Sequence, residues 1–388
     1  MAPQTDRRVY FDYAATAPAD PEIGQVIAGC SWANPNGLYK EGLEARKQLD
    51  DARRRIARAL GARQPAEIVF TSGGTESDNM AIAGLIDKNA KPEKSCVVIS
   101  NIEHHAVLDA ANHLKARGFK IEQAAANAQG IVTAEAVKAA IERAAQKGLK
   151  TLLVAVMAVN NELGTIQPVR ELAQAAHSNG ALFFTDAVQA LGKIDIDLEK
   201  SGVDAASFSA HKIGALKGFG ILYKRRTVRC EPLIYGGGQE SGLRSGTSNV
   251  AGAQVFATVL EKHVEARQTN WQHVQAVKDC LLAGLESVQA AHSIRPTLYS
   301  QEDCVPHVLS LLVSGLEGET VVQRLDELGV AASSASACSV GSLEPSHVIT
   351  AINVPKRDAF GSLRLSFGPS TTLEDAAYFL SVLPEALR

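Results

Sequence analysis

Two short apolar runs of this 388-residue chain end in side chains that could do chemistry. Asp186 ends the run that begins at Leu182, and Lys212 follows the run 205–209 beside His211. A purely structural lysine is normally solvated, so a lysine directly after a buried strand is unusual. Asp186 taken alone is better explained as a helix N-cap. Together the two suit pyridoxal phosphate, which needs a lysine for its Schiff base and a carboxylate for its pyridinium nitrogen.

A glycine-containing turn, residues 71–77, could hold the phosphate of such a cofactor. Gly73 and Gly74 lie where a strand passes into a helix, and Thr75 follows them. Glycine lets the backbone approach a ligand closely, and the free N–H groups of a helix start favour an anion. A plain tight turn capped by Thr or Ser explains the motif equally well. The chain contains neither GxxxxGK[ST] nor GxGxxG, which removes the main support for nucleotide binding.

A histidine and an arginine could complete the site. His104 follows the strand 97–100, and an imidazole there could stack on a pyridine ring and move protons near neutral pH. A lone histidine near a strand end is more often simply structural. Arg364 lies in the alternating run 362–368, where its bidentate fork suits a substrate carboxylate but would equally suit an ion pair at the rim of the fold.

One of the six cysteines lies in an unusual setting. Cys338 belongs to the serine-rich run 333–339, which predicts a mobile loop, and an exposed thiol in a reducing compartment indicates chemistry. The other five are interpreted as structural, since a free cysteine is usually a small buried hydrophobe. They are Cys30, Cys96, Cys230, Cys280 and Cys304.

Composition excludes several classes of protein. A net charge of -3 with 21% charged residues gives no electrostatic footprint for direct nucleic-acid binding. The longest strongly apolar stretch, residues 152–159, is far shorter than the roughly 20 residues of a membrane helix. The cysteines show no CxxC pair and no metal-ligand spacing, so we expect reduced thiols, no metal and a cytoplasmic enzyme.

Strand-like and helix-like runs alternate along the first part of the chain. Strands are predicted at 68–71, 97–100, 151–157, 181–185, 205–209 and 220–223, a helix at 41–60 stopped by Gly61, and another from Thr75. This alternation predicts an α/β fold with a mostly parallel sheet covered on both faces. A glycine- and serine-rich loop, 236–249, precedes a long helix over 250–289. We expect a large α/β domain over 13–250 and a smaller α+β domain over 251–388, with residues 1–12 packing on either.

With these residues in place, the sequence resembles the cysteine desulfurases of the NifS/IscS type, within the class V aminotransferases and the fold type I pyridoxal-phosphate transferases. The resemblance runs nearly end to end. Its motifs are, in chain order, Tyr10-Phe11-Asp12-Tyr13-Ala14-Ala15-Thr16, Thr71-Ser72-Gly73-Gly74-Thr75-Glu76-Ser77, Glu103-His104, Asn160-Asn161-Glu162, Asp186-Ala187-Val188-Gln189, Ser209-Ala210-His211-Lys212, Arg244-Ser245-Gly246-Thr247, Ala337-Cys338 and Arg364-Leu365-Ser366-Phe367-Gly368.

The resemblance implies a role for each matching residue. Lys212 would form the Schiff base and Asp186 would pair with the ring nitrogen, while Gln189 would bind the phenolic oxygen and His104 would stack on the ring. The phosphate would be held by Gly74, Thr75, Ser209 and His211, and by Thr247 from the neighbouring subunit of a homodimer with shared active sites. Asn161 and Arg364 would hold the substrate carboxylate, Asn161 also contacting the cofactor, and Cys338 would accept the sulfur.

The implied reaction converts L-cysteine to L-alanine and passes the sulfur, as a persulfide on Cys338, to an acceptor protein, with iron–sulfur cluster biogenesis as the expected context. A selenocysteine lyase or another class V aminotransferase is the alternative enzyme on the same scaffold. Cys338 argues against simple transamination, which needs no thiol. A non-catalytic sulfur carrier is disfavoured because Lys212, Asp186 and His104 are all present.

Overall fold

The structure is a computed structural model that describes residues 7–86, 88–289, 294–297, 304–334 and 344–388. Within those residues, no helix is both long enough and apolar enough to cross a membrane. The strands are β1 Val9–Tyr10, β2 Ile68–Thr71, β3 Ser95–Ser100, β4 Lys120–Ala124, β5 Lys150–Ala155, β6 Leu182–Asp186, β7 Ala205–Ser209, β8 Gly220–Lys224, β9 Ile294–Pro296, β10 Val308–Val313, β11 Val330–Ala331 and β12 Ser362–Ser366.

The α-helices lie between most of these strands. They are α1 Ile23–Ala28, α2 Lys40–Ala59, α3 Gly74–Gly84, α4 His105–Ala116, α5 Ala134–Gln146, α6 Val169–His177, α7 Leu198–Ser201, α8 Val250–Glu265, α9 Arg267–Gln289, α10 Gly318–Glu327, α11 His347–Ala351, α12 Lys356–Ala359 and α13 Leu373–Ala386. Every strand and helix predicted above has a counterpart within a few residues.

The largest sheet has seven strands in the order β2-β8-β7-β6-β5-β3-β4. The five strands from β7 to β4 run parallel, whereas β8 is antiparallel to both of its neighbours. The predicted α/β fold with a mostly parallel sheet is therefore confirmed. Because parallel strands place their carboxyl ends at one edge, β6 and β7 deliver the residues that follow them to the same side of the sheet.

The long helix predicted over 250–289 is two helices that meet at Ala266. The physical reason is that the two halves pack in different cores. In α8, Val255, Phe256 and Val259 pack among residues of the large sheet, whereas Leu281 and Leu285 of α9 pack in a second core. The break at Ala266 lies between these two packing surfaces.

The second core is built around two small sheets, an antiparallel one of order β12-β10-β9 and the parallel pair β1 and β11. Val9 and Phe11 are buried in this core, so the N-terminal segment joins it before it reaches the large sheet. The division into domains at 13–250 and 251–388 stays a prediction.

Candidate active site

A cavity of about 330 Å³ lies at the carboxyl ends of β6 and β7 and faces the start of α3. It brings together residues that are distant in sequence. Those predicted for the site that line it are Gly74, Thr75, His104, Asn161, Asp186, Gln189, Ser209, His211, Lys212 and Arg364. Asp12, Ala14, Ala15, Asp78, Met157, Val188 and Ser333 also line it and were not singled out from the sequence.

Asp186 ends β6 as a buried carboxylate. Its Oδ1 accepts a hydrogen bond of 2.9 Å from Val188 N, and turns rather than an α-helix follow it, so it is not a helix cap. Burial raises the pKa of Asp186, while His104 and the Val188 bond oppose that rise. Asp78, buried beside it on α3, has its pKa raised further by burial and by the charge of Asp186. Two carboxyl groups at one wall favour a cationic partner in the cavity.

Lys212 lies in a 3₁₀ turn, Ala210–Ile213, directly after β7. The turn ends at Gly214, which has φ +81°, and a Cβ there would come within 2.5 Å of Pro18 O, so only glycine lets the turn pack on the N-terminal segment. Backbone carbonyls of the same N-terminal segment bind the Lys212 side chain. Lys212 Nζ donates to Ala14 O at 2.8 Å and to Ala15 O at 2.9 Å.

Another part of the cavity wall, formed by Gly74, Thr75, Ser209 and His211, is an anion cup. Gly74 opens α3, whose first N–H groups lack partners within the helix and favour a negative group. A Cβ on Gly74 would lie 2.9 Å from Val188 Cγ2 and 3.5 Å from Ser209 Cβ, so a larger residue would collide with the cavity wall. His211 Nδ1 bonds Thr16 Oγ1 at 2.7 Å, and burial first, then Lys212, lowers the pKa of His211 to about 4. The imidazole is therefore neutral at pH 7.

His104 is both a cap and a wall of the cavity. Its Nδ1 accepts a hydrogen bond of 3.1 Å from Ala106 N at the start of α4. Because Nδ1 supplies its lone pair, the neutral ring carries its proton on Nε2 and is a donor there. Burial lowers the pKa of His104 although Asp186 raises it, so the neutral donor is the form expected at pH 7. To accept a proton, the ring would have to give up the capping bond.

Arg364 enters the cavity from β12 with partners already in place. Its Nη2 donates to Asp12 Oδ1 at 2.9 Å and its Nη1 to Asn161 O at 3.1 Å. The side chain of Arg364 is 5% exposed and that of Asp12 is 21% exposed, so the cation of this ion pair is buried and its anion partly exposed. Asn161 Oδ1 is buried without a partner among the described residues. A ligand carboxylate would therefore meet a guanidinium that Asp12 has fixed in orientation.

One described residue that was predicted for the site lies elsewhere. Thr247 is exposed and does not line this cavity. Its segment is nevertheless tied to the anion cup, because Arg244 Nε donates to Glu76 Oε1 at 3.0 Å on the first turn of α3. Cys338 lies outside the described residues.

Asp12 and Lys193 are two polar residues at or beside the site that were not singled out from the sequence. Asp12 belongs to the N-terminal motif 10–16, and its position there was the available signal. Lys193 follows Gln189 by four residues, and its Nζ donates to Gln189 Oε1 at 2.6 Å. A lone lysine in a turn gave no comparable signal, since lysines are mostly surface residues.

Known proteins match this chain over nearly its whole length. A family model described as aminotransferase class-V matches residues 9–379. The cysteine desulfurase IscS of Clostridium botulinum is 37% identical over 387 residues, covering 99% of this chain and 95% of the relative. A putative cysteine desulfurase IscS of Bacillus subtilis is 39% identical, with 95% of each chain covered.

A solved structure titled NifS-like protein superposes with a TM-score of 0.88 at 34% identity, covering 98% of this chain and 99% of the other. A second, titled SspA in complex with cysteine, gives a TM-score of 0.78 at 33% identity, with 93% and 99% covered. The fold is thus shared over almost the full length of both chains.

The carboxyl group of Glu103, next to His104 in the chain, should make the stability of the protein depend on pH. It is buried, Oε1 accepts from Met157 N at 2.8 Å, and Oε2 has no partner among the described residues. Burial raises the pKa of Glu103 to about 8, whereas an unfolded glutamate titrates near about 4.3. The neutral form of Glu103 therefore stabilises the folded chain fully at pH values below the unfolded pKa, and this stabilisation is lost as the pH rises through the folded pKa. As the pH rises from the unfolded pKa to the folded pKa, we expect the free energy of unfolding to fall less in Glu103→Gln than in the wild type.

Urea unfolding at about pH 4 and about pH 9 measures this slope. Glu122→Gln is the control. The hydrogen bond from Lys147 lowers the pKa of Glu122, so the contribution of Glu122 to stability changes only in the acid range, as the pH falls towards that lowered pKa. An identical pH slope in wild type and Glu103→Gln would contradict the assignment.

Proposed function

The chain belongs to the class-V aminotransferase family and is a pyridoxal-phosphate-dependent cysteine desulfurase, and we propose that Lys212 and Cys338 carry the two halves of its reaction. In this proposal L-cysteine becomes L-alanine and its sulfur passes to the Cys338 thiol as a persulfide. The observation that carries the assignment of Lys212 is the single cavity that groups it with Asp186, His104 and the anion cup. The alternative enzymes are not favoured, since the curated relatives described above are named as cysteine desulfurases.

The residues of the cavity fit pyridoxal phosphate on their own chemistry. The start of α3, with Gly74 and Thr75, and the side chains of Ser209 and His211 would hold the phosphate. Asp186 would hold a protonated ring nitrogen, which supplies the cation that this buried carboxylate lacks. His104 would cover a ring face, and Gln189 would bind the phenolic oxygen. When bound, the cofactor supplies an electron sink for charge that develops at the substrate Cα.

In this proposal the Lys212 Nζ would take the substrate's Cα proton. The carbonyls of Ala14 and Ala15 accept from Nζ, and both contacts favour the protonated amine. They therefore orient the lysine and stabilise the form that has taken the proton. Arg364 and Asn161 would hold the substrate carboxylate, with Asp12 fixing the guanidinium.

Cys338 would then attack the substrate sulfur as a thiolate. A bond forms between the two sulfur atoms, the Cβ–S bond breaks, and its electron pair stays with the carbon skeleton, which takes up protons to become alanine. A cysteine with an ordinary pKa near about 8.5 is only a few per cent ionised at neutral pH, so Cys338 requires local activation.

Chain connectivity and the other thiols support Cys338. Ser333 lines the cavity and exchanges backbone hydrogen bonds of 3.1 and 2.7 Å with Arg364. Five residues span at most about 18 Å, so the Cys338 backbone is tethered within that distance of Ser333. None of the five described cysteines lines the cavity. Burial raises the pKa of both Cys96 and Cys230 to about 11, which disfavours their thiolates.

Lys212→Ala should abolish alanine formation from cysteine, because in this proposal the Lys212 amine both binds the cofactor and takes the Cα proton. The long-wavelength absorbance of the bound cofactor should be lost as well, although phosphate contacts still hold some cofactor. Lys217→Ala, at an exposed lysine five residues on, is the control and should behave as wild type. Wild-type turnover by Lys212→Ala would show that the assignment is wrong.

Cys338→Ser should separate the early steps from sulfur transfer. The variant should bind cofactor and respond spectrally to cysteine, since those steps use Lys212, but it should not accumulate protein-bound persulfide. Cys280→Ser is the matched control at a partly buried cysteine on α9. Mass spectrometry of the protein after one turnover provides the measurement, and persulfide on Cys338→Ser would point to another thiol.

A homodimer with shared sites is part of the proposal. Large apolar side chains are exposed in two segments near the glycine-rich loop, among them Trp32 at 88%, Leu38 at 90% and Tyr235 at 80%. Exposed apolar surface of this kind typically marks an interface. Thr247 is exposed on the same loop region and would reach the phosphate of the partner's cofactor, once in each direction of a C₂ dimer.

Thr247→Ala should weaken cofactor retention without unfolding the chain, because a hydroxyl bond to a phosphate contributes about 1.5 to 3 kcal/mol. Thr247→Ser keeps the hydroxyl and is the control. Mixing Thr247→Ala with Lys212→Ala should restore part of the activity, since one site of the mixed dimer carries neither change. A fully active monomer in sedimentation would contradict shared sites.

The persulfide would be delivered to an acceptor protein, with iron–sulfur cluster biogenesis as the proposed use. The cytoplasmic location expected from the cysteines stays a prediction.

A further inference from the structure

We propose that Lys193 is a positioning residue which fixes the amide of Gln189 so that its N–H₂ group faces the cofactor. The inference rests on the proposed function, because it concerns the same site. Lys193 follows Gln189 by four residues in the turns after β6, and its Nζ lies 2.6 Å from Gln189 Oε1. This is the single hydrogen bond that the Lys193 side chain makes among the described residues.

The direction of the amide follows from what each group can do. Ala14 O can only accept, so the amide atom that faces it must be Nε2, and the Lys193 Nζ donates to Oε1 whether it is an amine or an ammonium. Gln189 Oε1 is therefore turned towards Lys193, and Nε2 is turned away from it, where it donates to Ala14 O at 2.9 Å. One hydrogen of Nε2 remains for a ligand in the cavity that Gln189 lines. The reversed amide would place N–H groups against the ammonium.

This orientation matters because a phenolic oxygen that carries negative charge needs a donor. Ala14 O also accepts from Lys212, so the carbonyl links the amide to the lysine that reacts. Lys193, Gln189 and Lys212 are thus joined in one chain of hydrogen bonds through a backbone atom. A hydrogen-bond donor at the phenolic oxygen would stabilise the negative charge on that oxygen. It would thereby lower the proton affinity of the Lys212 nitrogen when that nitrogen is bonded to the cofactor.

A structural role explains Lys193 poorly. Its residue is 8% exposed, and it forms no ion pair with a described residue, although buried charges are normally paired. The charged groups that act on it, Lys212 and Arg364, both repel it, and the burial of Lys193 together with these two lowers its pKa to about 7. Asp20, His263 and His307 line a neighbouring cavity with it, but Asp20 is paired with Lys262, and burial lowers the pKa values of both histidines. A methionine of similar length would fill the space without that cost.

The test uses the holoenzyme without cysteine, so it does not depend on turnover. The readouts are the pH midpoint of the cofactor's long-wavelength band and the rate at which the cofactor dissociates. In Lys193→Met the midpoint should rise by about one pH unit, a tenfold gain in proton affinity, because the donor to the phenolic oxygen is no longer fixed. Gln189→Leu, which removes the donor itself, should give the same rise.

The decisive measurement is the double variant Lys193→Met with Gln189→Leu. If Lys193 acts through the amide, the second substitution adds no further shift once the first is present. Lys224→Met is the matched control. Among the described residues, the Nζ of that buried lysine donates to the carbonyls of Arg225 and Val228, at the end of β8 away from the site, so the midpoint of this variant should equal that of wild type.

Two results would overturn the proposal. One is an unchanged midpoint in Lys193→Met. The other is a Lys193→Met shift that persists in full in the Gln189→Leu background, which would assign the effect to the charge of Lys193 acting directly. A wild-type protein that forms no alanine from cysteine would instead overturn the proposed function, and would leave this spectral result standing.

Discussion

Burial of the Asp186 carboxylate is the constraint around which the site is organised. A carboxylate removed from water raises the free energy of the folded chain unless a cation or several donors accompany it. Asp186 has one backbone donor, Val188 N, and no ion pair with a described residue. The neutral histidines and the second buried carboxyl group, Asp78, do not supply that charge. A protonated pyridine nitrogen lying against Asp186 would supply that cation.

The N-terminal segment holds the two sides of the site in register. Phe11 is buried in the second core, whereas Ala17 N bonds His211 O next to the large sheet. Between these anchors lie Asp12, which binds Arg364, and Ala14 and Ala15, which bind Lys212. A short run of backbone thus fixes the group that would bind the substrate carboxylate relative to the group that would move its proton. Gly214 permits this, since any side chain there would displace Pro18.

Burial also sets the protonation states of the ionisable groups in and around the site. It lowers the pKa of His104 and of His211, which keeps both imidazoles neutral and able to hydrogen-bond without adding charge. The same physical effect raises the pKa of the described thiols Cys96 and Cys230 and makes them poor nucleophiles. A reactive thiol has to come from a more polar setting. The serine-rich composition around Cys338 is of that kind.

The sequence alone determined which residues stand at the ends of strands. Alternating apolar runs report local periodicity, and periodicity is enough to predict a parallel sheet, the placement of Asp186 after β6 and that of Lys212 after β7. It did not predict the break at Ala266, because that break depends on which core each half of the helix packs against. Nor did it predict the Asp12–Arg364 ion pair, the Ala14 and Ala15 carbonyls beside Lys212, or the bond from Lys193 to Gln189. In the first two of these, the partners are up to several hundred residues apart in the chain. In the third the spacing is short, but the bond depends on a turn being buried, so packing and not local pattern decided it.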